Sequence, residues 1–190
     1  MMNRYTLIIQ FVFSSAAVFS QVKSAEDQIR EALMAVADNV RQGATVYGYD
    51  AGGSFTVLRE GINEIICLAD DPEKQGFSVA SYHRDLEPFM ARGRELTAAG
   101  KGFQEIFETR ENEVRSGELD MPDKSLLTVM TGKYDESGAP VELYTRYVFY
   151  IPYATTESTG LPTSARGPAS PWIMDPGTHR AHMMINPPRQ

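Results

Sequence analysis

Residues able to do chemistry are densest near the end of the chain, where Trp172, Met174, Asp175, His179, His182 and Met183 follow one another closely. On a helical turn His179 and His182, three apart, would project from one side, and Asp175 or Met183 would complete a site for zinc or copper. On a strand the two histidines would face opposite sides of the sheet and would not chelate. No HExxH pattern or second ligand pair accompanies them, so two unrelated histidines in a terminal strand or turn is the ordinary reading beside the metal one. If His179, His182 and Asp175 do hold a metal, the chemistry is hydrolysis by a bound water of lowered pKa. The same stretch offers Trp172, Met174 and His182 as ligand-facing groups. Tyr150 joins them from an aromatic run that either lines a pocket for a flat or apolar ligand or simply packs a sheet.

Other reactive residues stand alone. Cys67 would need a nearby imidazole to act as a nucleophile, and its neighbours Ile65, Ile66 and Leu68 read as the surroundings of a small buried hydrophobe. His83 precedes a helical stretch, where an imidazole commonly caps. Asp70, Asp71 and Glu73 carry the oxygens calcium prefers but not the spacing or glycine of an EF-hand loop, which leaves a solvated turn. The chain contains no Gly-x-Ser-x-Gly elbow, P-loop or dinucleotide fingerprint.

The elements that must position these residues follow from periodicity. Ser24 reads as the N-cap of a helix over 25–42, with Ile29, Leu33, Val36 and Val40 on one face and Gly43 as the stop. Residues 44–49 and 54–59 read as a hairpin around Asp50-Ala51-Gly52-Gly53, followed by strands over 63–68 and 77–82. From Asp85 the period lengthens to that of a helix. Leu86, Phe89, Met90 and Leu96 form one stripe, and Phe103, Ile106, Phe107 and Val114 form another after a Gly100-Lys101-Gly102 break. Residues 126–131 and 141–151 read as a second hairpin, and 152–171 as an extended loop. The sum is an α+β fold: an antiparallel sheet of about six strands in two groups, an N-terminal helix and an inserted helical pair.

The first twenty residues combine Arg4, a mostly apolar run over 6–19 and small or apolar groups at 18–20. This reads as a signal peptide over 1–20 that leaves one globular domain over 21–190. The run is too short and too interrupted by Gln10, Ser14 and Ser15 for a retained span, so no membrane span remains after cleavage. The whole chain carries a formal charge of −7. Losing Arg4 and no acid takes it to −8, a sign that argues against nucleic acid and against a polybasic membrane-surface role. One cysteine permits no intramolecular disulfide, which favours a bacterial periplasm or exterior over a small disulfide-rich secreted scaffold.

Two stretches carry a resemblance. One runs Val57-Leu58-Arg59-Glu60-Gly61 to Cys67-Leu68-Ala69-Asp70-Asp71-Pro72. The other runs Gly160-Leu161-Pro162 to Pro171-Trp172-Ile173-Met174, Gly177-Thr178 and Ala181-His182-Met183-Met184-Ile185. Together they are similar to a family of uncharacterised secreted bacterial proteins with "LREG…C-x-P-D-x-P" and "GLP…PWVM…GT…AH-x-MI" segments. The resemblance implies location and no mechanism. In the family pattern the match to His182 stands among small and apolar residues, and nothing matches His179. Family members also carry a further cysteine after the turn, whereas 73–78 here has none.

The expectation is a non-catalytic binding or interaction module for an unknown small molecule or protein, without a cofactor. Such a module requires a concave apolar pocket with a few polar groups, sited between the sheet groups and the 153–171 loop. The alternatives are a metal-dependent hydrolase using zinc or copper at His179, His182 and Asp175, and a structural envelope-associated protein, for which that surface would be flat and filled.

Overall fold

The computed structural model describes residues 22–188. The stretch read as a signal peptide therefore lies outside the described residues. Among those described, no helix is long and apolar enough to cross a membrane.

The first helix, α1 (Ala25–Ala32), begins as its sequence dictates, with Ser24 Oγ accepting from Asp27 N at 3.1 Å. It stops ten residues early. A 3-10 turn over Leu33–Ala35 follows, then extended backbone at Val36 (φ −130°, ψ 154°) and a second 3-10 segment over Asp38–Gly43. Side chains capture the carbonyls a longer helix would have used: Ser81 Oγ donates to Ala35 O at 2.8 Å and Arg41 Nε to Val36 O at 3.1 Å. Ile29, Leu33 and Val36 still share one buried cluster with Val46 and Cys67. Their spacing recorded burial, and the backbone that delivers it changes midway.

Among the described residues, eight strands form one sheet rather than about six in two groups. They are β1 (Thr45–Tyr49), β2 (Phe55–Arg59), β3 (Ile65–Leu68), β4 (Phe77–His83), β5 (Ser125–Tyr134), β6 (Pro140–Tyr150), β7 (Trp172–Met174) and β8 (His182–Ile185), in the order β2-β1-β3-β4-β5-β6-β8-β7. Pairing of β4 with β5 makes the sheet continuous, and the two short terminal strands add the extra pair. All neighbours are antiparallel except β1 and β3. That exception has a cause in the LREG stretch. Ile62 N and Asn63 N both donate to Gly43 O, Arg59 donates to Arg41 O and Ala44 O, and Asn63 Nδ2 donates to Val40 O. The chain is thus wrapped around the start of β1 and re-enters beside it, leaving β2 at the edge.

The helical pair is as read from the sequence: α2 (Glu87–Ala98) and α3 (Phe103–Ser116) lie between β4 and β5 in the chain, joined across Gly100 at φ +76°. Arg92 grips Glu113 of α3 through Nε and Nη2, the latter at 2.6 Å, so part of the mixed-charge surface locks the two helices together. Leu86 and Phe89 pack on Ile66, Tyr82, Leu127, Val148, Tyr150 and Met184 from one face of the sheet. The opposite face is covered over β1, β3 and the start of β4 by α1 and the 3-10 turn, through Ala32, Ala35, Val46, Cys67, Phe77 and Val79. A four-residue helix, α4 (Thr156–Thr159), interrupts the segment read as an extended loop.

Candidate functional site

The C-terminal grouping is built by two turns zipped together. Tyr153 N donates to Thr178 O at 2.8 Å and Gly177 N to Ala154 O at 2.8 Å, which presents the 175–181 turn to α3. His179 enters the interior there and is fully buried. Its backbone N–H donates to Glu111 Oε2 at 2.8 Å and its Nδ1–H to the same oxygen at 2.5 Å, while Phe89 and Phe107 stand edge-on to its ring. Glu111 also accepts from Arg115. Burial pushes the Glu111 carboxyl up, but its hydrogen bonds from His179 and Arg115 outweigh this and hold it below its ordinary range. Burial pulls His179 below its ordinary pKa, against the pull of Glu111 and with the help of Arg110 and Arg180. The ring is accordingly neutral, protonated on Nδ1, with a buried Nε2 that has no hydrogen-bond partner among the described residues.

His182 is in β8 instead, one strand position from Ala181 and opposite Tyr150 and Met174 in the sheet register. Its Nδ1–H donates to Arg180 O at 2.6 Å and its ring lies against Tyr150. Burial lowers its pKa as well. Asp175 is 3.6 Å from Arg180 Nε. Met183 alternates to the other face of β8 from His182. Both imidazoles therefore fix Nδ1 on an oxygen and leave Nε2 as the acceptor, the tautomer a metal-ligating histidine needs. Among the described residues, however, no three His, Cys, Asp or Glu side chains converge on one point. Trp172, Met174, His182 and Tyr150 do come together, with Trp172 and Met174 packed against the main core and Tyr150 and His182 buried.

Arg110 completes this interior region. Its guanidinium lies 4.1 Å over the Phe89 ring and donates to Phe89 O, while burial and then the nearby Arg180 charge bring its pKa down to about 10. Arg180 extends outward over Phe103 and Phe107. Phe103, read as part of the apolar stripe of α3, is 71% exposed and serves as a platform for that arginine.

A broad concavity lies elsewhere, on the sheet face that α1 only half covers. A groove of about 640 Å³ runs over Ile65 of β3, Ser81 and His83 of β4, Leu126, Thr128 and Met130 of β5, and Thr145 and Tyr147 of β6, with Met34 to Ala37 at its side. Its wall is thus the turn after α1, not the 153–171 loop. Leu126 and Tyr147 are each 38% exposed in it. Residues 126, 128 and 130 alternate with the core-facing Leu127 and Val129, so Leu126 and Met130 make the second side of β5 apolar as well, a pattern that in sequence reads as a strand covered on both faces. Met34 and the bend at Val36 gave no signal, because they reach the groove only through the early end of α1.

The lone reactive groups settle into structural roles. Cys67 is fully buried, and burial drives its thiol up to about 12. His83 Nδ1 accepts from Asp85 N at 3.3 Å as a cap, and Asp71 Oδ1 accepts from Glu73 N within a turn. No family model, curated protein or solved structure matches this chain.

Proposed function

We propose that the chain is an exported, non-catalytic binding module that holds an elongated apolar small molecule in the groove over β3 to β6. The observation that carries this reading is the groove itself: a concave apolar surface within the volume range of small-molecule sites, with Ser81, His83, Thr128 and Thr145 as its few polar groups. Met34 and Met130 give its lining the adaptability that suits a flexible ligand. Export rests on the N-terminal tract and on the resemblance to secreted bacterial proteins.

Titration with a fluorescent long-chain fatty acid tests the reading. Wild type is expected to bind saturably. Thr128→Trp, which fills the middle of the groove, is expected to weaken binding at least tenfold, about 1.4 kcal/mol, while the unfolding midpoint stays within a few degrees. Unsaturable binding, or a T128W protein that binds as wild type does, contradicts it.

A metal-dependent hydrolase is the second reading, favoured by the Nδ1-protonated tautomers of His179 and His182. Stoichiometric zinc or copper retained by the purified protein and lost in His182→Ala would support it. A metal content indifferent to that substitution would remove it.

A further inference from the structure

At the end of the sheet away from the histidines, Lys23, Gln28, Glu31, Asp70, Lys74 and Tyr134 line a recess of about 310 Å³. It is assembled from parts distant in sequence: the segment before α1, α1 itself, the end of β3, the end of β5 and the β5–β6 turn. Lys23 Nζ enters it, donating to Glu31 Oε1 at 2.6 Å and to Gly138 O at 3.4 Å, and stands 3.8 Å from the centroid of the Tyr134 ring. Gln28 fixes the approach, since its Nε2 donates to Lys23 O and to Tyr49 O, both at 2.8 Å.

These are the groups that recognise a primary ammonium: a carboxylate, a carbonyl and an aromatic face. The recess also holds more negative charge than Lys23 neutralises. Asp70 takes its hydrogen bonds from neutral donors, Ser78 N at 2.8 Å and the Tyr134 hydroxyl at 2.8 Å, and that hydroxyl is also 3.3 Å from Glu31 Oε2. Lys74, the other cation of the lining, is turned to Asp71 at 2.9 Å. Burial accordingly holds the Asp70 carboxyl above its ordinary range, in spite of those bonds. Glu31 has a side chain only 5% exposed, so its charge is held where a cation must come to it.

We propose that this recess is a second ligand site, one for the primary ammonium group of a small aliphatic amine, and that Lys23 is its tethered occupant. The incoming ammonium takes the place of Lys23 Nζ between Glu31 and the Tyr134 ring, with Asp70 behind it. Because Lys23 is attached to the chain, it competes at a local concentration in the millimolar range or above. Wild type therefore binds amines far more weakly than the recess would if empty.

The test is titration of n-butylammonium chloride at constant ionic strength into wild type, K23A and K23A/E31Q, read by calorimetry and by the unfolding midpoint. Saturable binding to K23A is expected, at least tenfold tighter than to wild type and lost in K23A/E31Q. The amine is also expected to raise the midpoint of K23A and to leave wild type unmoved, a readout that holds even where removing Lys23 weakens the fold. K23A that binds no more tightly than wild type and gains no thermal stability from the amine overturns the proposal, as does K23A/E31Q that binds as well as K23A.

Discussion

Gly61 lies with its backbone against residues 43–45, where a Cβ would come within 2.3 Å of Thr45 N and 2.4 Å of Gly43 O. Both neighbours are backbone and have no rotamer to yield, so Gly61→Ala is expected to cost about 1–3 kcal/mol or more, measured by chemical denaturation. Preserved stability would mean that the wrap around β1 is loose. The Glu111–His179 contact makes a different kind of prediction. Both groups have folded-state pKa values below their ordinary ones, so the stability they contribute is complete above the unfolded values and is lost as the pH falls. For His179 the loss begins below 6.5, with Glu111, Arg110 and Arg180 the charged groups facing it. The unfolding midpoint is expected to drop between about pH 7 and pH 5, and His179→Phe, which suits the space between Phe89 and Phe107, is expected to flatten that drop. An equal drop in both proteins would take His179 out of the pH response.

Element boundaries were legible where the signal is local. Ser24 caps α1 as its spacing to Asp27 indicates, and Ser24→Ala is expected to cost about 1 kcal/mol by thermal unfolding, without loss of the strand signal in circular dichroism. A neutral result would show that tertiary packing alone holds that helix start. The β1–β2 hairpin, the glycine break between α2 and α3, and the long β5–β6 hairpin announced themselves through turn residues and period. What stayed hidden depends on distant partners. The departure of the chain from a longer helix goes with Ser81 and Arg41 bonding to the Ala35 and Val36 carbonyls beyond α1. The place of β3 beside β1 follows from Arg59 and Asn63 bonding back across the chain. The brevity of β7 and β8, three and four residues, left them without a readable alternation. His179 and His182 were visible as a pair, but Glu111, the partner that defines His179, lies 68 residues away on α3.

Across the whole molecule the two faces of one sheet have different fates. The α2–α3 pair closes one face over Tyr82, Leu127, Val148 and Tyr150, whereas the chain after α1 turns away at Val36 and leaves Leu126, Met130 and Tyr147 lining an open groove. The body is acidic, and the groove is lined by apolar side chains, a few hydroxyls and His83, with no Lys or Arg among its lining residues. Methionines sample both faces, with Met34 and Met130 in the groove and Met174 and Met184 in or against the core on the closed face. The most direct test is a methyl NMR titration of methionine-labelled protein with a long-chain fatty acid. Saturable shifts confined to the Met34 and Met130 methyls are expected, with Met174 and Met184 unmoved. Shifts centred on Met174 and Met184, or none that saturate, would contradict binding in the groove.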